Sequence, residues 1–310
     1  MGEYTTQLAS VKSSNTHLHL PPAARNVRLF FEETRPCVQA IFLIRFLAGA
    51  LTAGGERTPG WAVHLIGPGA AWFLATLFAY GINGVTDVAE DRVNRTGRPI
   101  ARGDLSPRVA AYLTWLSGTG ALAIALLHGD GRLVGYVLAY LLLGYAYSAR
   151  PFQLKCTTLG AAGSVLLMGL LTYAAGWAAA GVDRPSGAAV VLAVAMSLWM
   201  CVVGAVTKDF SHARGDAAAG RRTSVTAWGA GTARTVAAVG ALTVATGFVT
   251  AAVRWQLLLV PAAVLLAGAC TVAVLCWTTR NDERRGRTPY RAFMVSQHLG
   301  HAGLLASLAT

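Results

Sequence analysis

Long apolar stretches alternate with polar connections along almost the whole chain. Each stretch is roughly 20 residues long, which is the length that an α-helix needs to cross about 30 Å of hydrocarbon. The pattern therefore predicts an all-α polytopic membrane protein. We predict nine transmembrane spans, at residues 37–53, 62–82, 109–128, 133–149, 158–180, 187–207, 235–253, 256–278 and 292–309.

The composition agrees with a membrane chain. Of the 310 residues, 54% are hydrophobic and only 13% are charged, against about 25% in a soluble domain. Residues 1–28 are polar and are predicted to form a flexible tail without a cleavable signal peptide, so residues 29–310 form one intramembrane domain. The five cysteines form no CxxC pair and lie in or beside apolar runs, as small buried hydrophobic residues do.

The net charge of +12 is distributed unevenly among the connections. Those after spans 2, 4, 6 and 8 hold 17 of the 26 lysines and arginines, whereas those after spans 1, 3, 5 and 7 hold four. The positive-inside rule then places the N-terminus and the basic connections in the cytoplasm and the C-terminus outside. Because the charge is explained by topology, nucleic-acid binding is not expected. Only three of the 26 basic residues are lysine, which indicates a GC-rich bacterial genome and thus the bacterial cytoplasmic membrane.

Two cytoplasmic connections, residues 83–108 and 208–234, are about 26 residues long and contain six of the 14 acidic residues. Uncovered loops of this length usually carry function. Within them, polar side chains recur at helical spacing: Asn83, Asp87 and Asp91 at steps of four in the first, and Asp209, His212 and Asp216 at i, i+3 and i+7 in the second. If the helices continue into the connections, each set forms one stripe along its helix. Glu90 lies about 60° around the helix from Asp87 and is more peripheral.

Two carboxylate stripes at the same membrane level repel each other. A divalent cation removes this repulsion, and ligands that are all oxygen favour Mg²⁺ over Zn²⁺. Since Mg²⁺ is commonly held by one or two carboxylates and by phosphate oxygens of a substrate, the stripes indicate a metal–diphosphate site. The alternative is that the acids form interfacial salt bridges with nearby arginines.

Basic side chains near the stripes are candidates for neutralising a bound diphosphate. The candidates are Arg98, Arg102, Arg150, Lys155, Lys208 and Arg222. For any one of them taken alone, a topology signal or a lipid-headgroup contact is the simpler explanation. Arg45, in the middle of the first span, is costly in lipid and is either a further diphosphate ligand or part of an internal ion pair.

These residues resemble the motifs of the UbiA superfamily of intramembrane prenyltransferases. The first family motif is an Asn with aspartates four and eight residues later and an R-P-[ILP]-x-x-G segment, which matches Asn83, Asp87, Asp91 and residues 98–103. The second, KDxxDxxGD followed by GxxT, matches residues 208–216 and 220–223. Between them, YSARPFQLK at 147–155 is similar to a third family segment.

The resemblance implies nine helices in one bundle around a central cavity, with helical cytoplasmic cap loops. It also implies that two Mg²⁺ ions and the diphosphate are held at the cytoplasmic mouth by Asn83, Asp87, Asp91, Asp209 and Asp216, and it adds Tyr147 and Lys155 to the site. Two positions depart from the family pattern. Gly84 and His212 stand where aspartates are common, and His212 is expected to contact diphosphate, to transfer a proton, or to lie outside the direct ligands.

The chemistry that combines Mg²⁺, a diphosphate and an apolar cavity is ionisation of a prenyl diphosphate. We therefore expect Mg²⁺-dependent transfer of an isoprenyl group, through an allylic cation, to a lipophilic aromatic acceptor, in contact with membrane lipids. The alternative is a UbiA-type terpene cyclase, which quenches the cation without an acceptor. A transporter is disfavoured because its coupling acids should lie near the bilayer midplane, and here the acids lie at the cytoplasmic ends of spans.

Overall fold

The computed structural model describes residues 21–55, 59–282 and 285–309, and these form a helical bundle. The helices are, in chain order, α1 (Pro22–Glu33), α2 (Pro36–Thr52), α3 (Trp61–His64), α4 (Ile66–Thr86), α5 (Val88–Val93), α6 (Pro99–Arg102), α7 (Pro107–His128), α8 (Gly131–Ser148), α9 (Thr158–Ala179), α10 (Gly187–Leu198), α11 (Ala205–Asp209), α12 (Ala213–Ala218), α13 (Ser224–Trp228), α14 (Ala230–Ala252), α15 (Leu259–Thr278) and α16 (Thr288–Ala309). A π-helical segment, Trp199–Gly204, joins α10 to α11, and 3₁₀ turns cover Leu154–Cys156 and Gln256–Leu258.

Every predicted span coincides with a helix, which confirms the all-α polytopic fold class. Six helical segments of the described chain are long and apolar enough to cross a membrane, or seven if the bent pair α1–α2 counts as one. The other helices at predicted span positions are shorter or more polar, as α8 and α16 are. The total of nine spans stays a prediction.

Helix α1 was not predicted from the sequence pattern, whose first helix is the span at 37–53. The tail was expected to reach residue 28, but α1 starts at Pro22, where the fixed φ of proline is already suited to a first helical turn. Residues 1–20 lie outside the described part of the chain. Helix α1 meets α2 at 71°, and Arg35 at the joint has a left-handed φ of 62°.

Two large apolar cores hold the bundle together, and a smaller cluster packs α1, α6 and α7 against α4. One large core is built mainly from α2, α4, α8 and α9, and the other mainly from α10, α14, α15 and α16. Helices α2 and α9 join the halves, because Ala48 and Tyr173 on them belong to the second core. Gly49 and Gly176 let the two helices approach closely; a Cβ on Gly49 would lie 2.6 Å from the Tyr173 carbonyl oxygen. Small residues at such contacts are typical of membrane helices. The halves enclose a cavity that opens between the two acidic connections.

Candidate active site

One cavity collects side chains from both halves of the bundle. Its mouth is polar and lined by Arg35, Asn83, Asp87, Glu90, Asp91, Asn94, Tyr147, Lys155, Lys208, His212, Asp216, Arg221 and Tyr290. Its inner wall is apolar except for the Tyr80 hydroxyl and the Gln297 amide and is lined by Val38, Ile41, Phe42, Ala79, Tyr80, Val165, Met168, Met200, Gly204, Ala205, Phe293, Met294 and Gln297. The arrangement suits a ligand with a charged head and an apolar body.

The first acidic connection has the predicted stripe. Helix α4 continues past Tyr80 to Thr86, and α5 resumes one residue after the break at Asp87. Asn83 Nδ2 donates to Asp87 Oδ2 over 2.9 Å, and Asp91 lines the same cavity. The spacing of four therefore places the three side chains side by side at the mouth.

The second connection is divided by a turn, and its two aspartates separate. Helix α11 ends at Asp209 and α12 begins at Ala213, so the continuous helix assumed from the spacing is interrupted. Asp216 lines the cavity and accepts a hydrogen bond from Thr223 Oγ1 at 3.1 Å. Asp209 does not line it; its Oδ2 accepts from the Ser224 amide at 3.0 Å and from Ser224 Oγ at 2.8 Å. Asp209 thus holds the start of α13.

Two cations pair with Asp87 at the mouth, and one of them, Arg221, also joins the two acidic connections. Lys155 Nζ and Arg221 Nη2 each lie 2.6 Å from Asp87 Oδ1. Arg221 also lies 2.7 Å from Glu90 and, through Nη1, 3.5 Å from Asp216. Burial alone would raise the pKa of Asp87, but Lys155 and Arg221 outweigh it and hold that pKa at about 2. Asp87 is therefore ionised at any physiological pH.

A second ion pair fixes the outer part of the first stripe. Arg98 Nη1 lies 2.8 Å from Asp91 Oδ2, and Arg98 Nε lies 2.8 Å from Glu33 Oε1. Glu33 is fully buried, and its Oε2 accepts a hydrogen bond from the Ile100 amide. Gly84 leaves the room for this arrangement, because a Cβ there would lie 2.5 Å from Glu33 Oε1. A buried carboxylate from α1 thus occupies the space next to Asn83.

Three further predicted residues, Tyr147, Lys208 and His212, line the mouth. The ring nitrogen Nδ1 of His212 lies 2.8 Å from the Lys208 carbonyl oxygen and must donate to it, since a carbonyl only accepts. Burial, reinforced by the charge of Lys208, lowers the pKa of His212 to about 4. The imidazole is therefore neutral at pH 7.

Five predicted diphosphate ligands do not line the cavity: Arg45, Arg98, Arg102, Arg150 and Arg222. Arg102 is exposed and pairs with Glu32 and Asp104. Arg150 and Arg222 are also exposed. Arg45 is deeply buried and donates to Gln297.

Two arginines at the mouth were missed by sequence reasoning. Arg221 and Arg222 are indistinguishable in sequence, but the left-handed turn at Gly220 sends Arg221 to the mouth, while the Arg222 backbone pairs with the Cys156 carbonyl. Arg35 precedes the first span, and the only feature of the sequence that could have identified it is the Arg-Pro pair at the start of α2. A strained backbone at such a residue is common where a side chain must be aimed at a site.

The mouth provides oxygen ligands suitable for a hard cation. No three acidic, histidine or cysteine side chains in the described ranges stand close enough to enclose a metal without other ligands. Mg²⁺ does not require such a cage, because it keeps waters and takes substrate phosphate oxygens beside one or two carboxylates. Asp87, Asp91 and Asp216 on one cavity, with Asn83, fit that mode of binding.

The bundle and its cavity define an integral, multi-pass membrane protein with a polar reaction site above an apolar chamber. A model of the UbiA prenyltransferase family matches residues 42–296. The chain belongs to this family and is a prenyltransferase.

Two relatives illustrate the range of the family. The chain is 30% identical to the digeranylgeranylglyceryl phosphate synthase of Methanopyrus kandleri, over 91% of this chain and 100% of that protein. It is 32% identical to the homogentisate phytyltransferase of Synechocystis sp. over 130 residues, which are 42% of this chain and 41% of the cyanobacterial protein. The second match therefore spans less than half of that relative.

Solved structures share the fold at low sequence identity. A UbiA homolog from Archaeoglobus fulgidus bound to GPP and Mg²⁺ superposes with a TM-score of 0.68 at 17% identity, covering 91% of this chain and 100% of that one. The apo structure of a UbiA homolog from Aeropyrum pernix gives 0.61 at 20% identity, covering 86% and 96%. These similarities establish the architecture around the cavity.

Proposed function

We propose that this protein transfers an isoprenyl group from a prenyl diphosphate to a lipophilic aromatic acceptor in a Mg²⁺-dependent reaction. The observation that carries the proposal is the joining of both acidic connections on one charged mouth above an apolar chamber. Binding of GPP and Mg²⁺ by the Archaeoglobus homolog supports the donor and the metal. The number of ions expected from the family resemblance is two.

The residues of the site have three different roles, which are metal binding, positioning and neutralisation of charge. Asn83, Asp87, Asp91 and Asp216 would hold Mg²⁺, which when bound stabilises charge on the leaving diphosphate. Asp209 positions the second connection through Ser224. Additional positive charge comes from the mouth cations, which are Arg35, Lys155, Lys208 and Arg221.

In the reaction, the C1–O bond of the donor breaks and its electron pair leaves with the diphosphate. The allylic cation is then attacked by an acceptor carbon, and once the new C–C bond has formed the proton on that carbon passes to the released diphosphate. Aromatic faces such as Phe42, Tyr80 and Phe293 along the wall stabilise the cation and exclude water from it. An aromatic acceptor agrees with the name of the homogentisate phytyltransferase and with that of a coumarin 8-geranyltransferase from Citrus limon, which matches 32% of this chain, whereas the Methanopyrus relative is named for a glyceryl phosphate product.

The test is an assay of the purified protein in detergent with labelled C10, C15 and C20 prenyl diphosphates. Each donor is incubated with Mg²⁺ or EDTA, and with or without a panel of hydroxylated aromatic acids and naphthoates. We expect a prenylated acceptor that disappears with EDTA, and its loss in Asp87→Asn and Asp216→Asn. A cyclic hydrocarbon or alcohol formed without acceptor would instead establish the cyclase reaction that the sequence leaves open.

A further inference from the structure

Arg45 is a buried charge that the mouth does not use. None of its surface is exposed, and it lies in the middle of α2. Its Nη2 donates to Gln297 Oε1 over 2.7 Å and reaches the Met196 carbonyl only at 3.5 Å. Within the described ranges, its Nε and Nη1 have no hydrogen-bond partner, and no carboxylate lies within 4.0 Å. A charge of this kind inside a membrane is costly and commonly marks a functional site.

Gln297 connects this charge to the cavity. Its side chain belongs to the inner wall, and a guanidinium can only donate, so the amide must turn its oxygen towards Arg45. The Nε2 group is left to face Met294 Sδ at 3.0 Å, and a thioether is a weak acceptor. The inner end of the cavity therefore presents hydrogen-bond donors in front of a positive charge.

The next turn of α16 cannot supply the missing acceptor. His301 Nδ1 donates to the Gln297 carbonyl at 2.6 Å, so its Nε2 accepts the hydroxyl proton of Tyr173, also at 2.6 Å. Both side chains are fully buried and already paired with each other. They close the polar cluster from below, which leaves the cavity side as the place for an anion.

Neither part of the prenyl donor fits this position. Along the helix axes, at 1.5 Å per residue, Arg45 lies about 15 Å from Arg35 and Gln297 about 10 Å from Tyr290, and both Arg35 and Tyr290 line the mouth. The diphosphate is matched by cations at the mouth instead. An apolar tail against Gln297 would leave its buried Nε2 group with only the weak Met294 thioether acceptor, which is unfavourable away from water.

We infer that Gln297, backed by Arg45, binds an anionic oxygen group of the acceptor, such as a carboxylate, at the inner end of the cavity. This inference rests on the proposed function, since it assigns the polar group of the second substrate. It predicts selection of aromatic acids over neutral analogues with the same ring. A site built around such donors discriminates strongly against ligands that lack the matching acceptor.

The test compares three aromatic acids, hydroxybenzoic, hydroxyphenylacetic and hydroxynaphthoic acid, with their methyl esters. Binding to donor-free protein is measured by calorimetry for the wild type, Gln297→Glu and Ser296→Ala. The glutamate keeps a hydrogen-bond partner for Arg45, so folding should be retained. It removes the amide N–H groups and neutralises the positive charge of Arg45, so anion binding should be lost. Ser296 lies on the α15 side of the same helix, near Gly268, and serves as the control.

We expect at least one acid to bind the wild type about tenfold more tightly than its ester. Gln297→Glu should abolish this preference and Ser296→Ala should keep it, while the KM for the donor stays within about twofold in both. Equal binding of every acid and ester by the wild type, or an unchanged preference in Gln297→Glu, would overturn the inference. Mg²⁺-dependent diphosphate release tests the proposed function separately: acid preference without release would overturn that function and support the anion site.

Discussion

At the scale of single residues, Gly84 is explained by what fills the space beside it. The Glu33 carboxylate and the Arg98 guanidinium lie 2.5 and 2.7 Å from where a Cβ would be. Gly84→Asp should therefore displace both groups and place a second carboxylate beside a buried one. We expect a destabilisation of about 2 kcal/mol and a lower kcat/KM, because Arg98 also holds Asp91. Thermal unfolding in detergent and donor turnover measure the two effects.

A double variant, Glu33→Ala with Gly84→Asp, shows whether the effect of Gly84→Asp comes from steric conflict with Glu33 or from the added charge. Glu33→Ala alone removes one of the two buried carboxylates that pair with Arg98, so it should also lose activity. If the two positions share one volume and one role, Glu33→Ala combined with Gly84→Asp should be more stable and more active than either single variant. Additive losses in the double variant would show that Glu33 does not substitute for an acid at position 84.

His212 gives a prediction about pH. Its pKa is lowered to about 4, so at pH 6 only about 1% of the imidazole is charged, and the fraction falls further as pH rises. The profile of kcat/KM between pH 6 and 8 should then have the same shape in the wild type and in His212→Gln. Should a limb of the wild-type profile vanish in the variant, His212 would be a proton carrier in the neutral range.

At the scale of helices and connections, Arg221 links the two acidic connections, which are far apart in the sequence. It contacts Asp87 and Glu90 of the first acidic connection and Asp216 of the second. Arg221→Gln should lower kcat/KM for the donor by about a hundredfold, since it removes charge that is largely buried. The neighbouring Arg222→Gln is the matched control and should stay within about twofold, because its side chain is exposed. Similar losses in both variants would contradict the assignment.

The sequence predicted helices and the first stripe well, but it failed at turns. Hydropathy sets where a helix must lie in lipid, so the helices could be predicted, and α4 continues without a break through Asn83. The second connection lies outside the membrane, where hydropathy no longer constrains which residues are helical. The turn between α11 and α12 removes Asp209 from the cavity, and the turn at Gly220 selects Arg221 over Arg222. Such choices depend on backbone angles that residue spacing does not encode.

At the scale of the whole molecule, the deep polar cluster depends on contacts between distant parts of the chain. Arg45 and Gln297 are 252 positions apart, so the sequence marked the arginine as costly but could not supply its partner. The same packing of two halves through α2 and α9 brings both acidic connections to one mouth. The chamber thus forms only when distant parts of the chain pack together, whereas each helix is determined by residues that are neighbours in the sequence.

The orientation of the bundle decides which compartment supplies the donor. The basic connections that form the mouth should face the cytoplasm, where a water-soluble diphosphate is accessible. In a version with all five cysteines replaced by alanine, single cysteines at the exposed positions Arg214 and Arg184 probe the two sides. A membrane-impermeant maleimide applied to intact cells should label Arg184→Cys, and inside-out vesicles should be needed to label Arg214→Cys. The opposite pattern would place the mouth outside and would require the diphosphate to be exported before it could react.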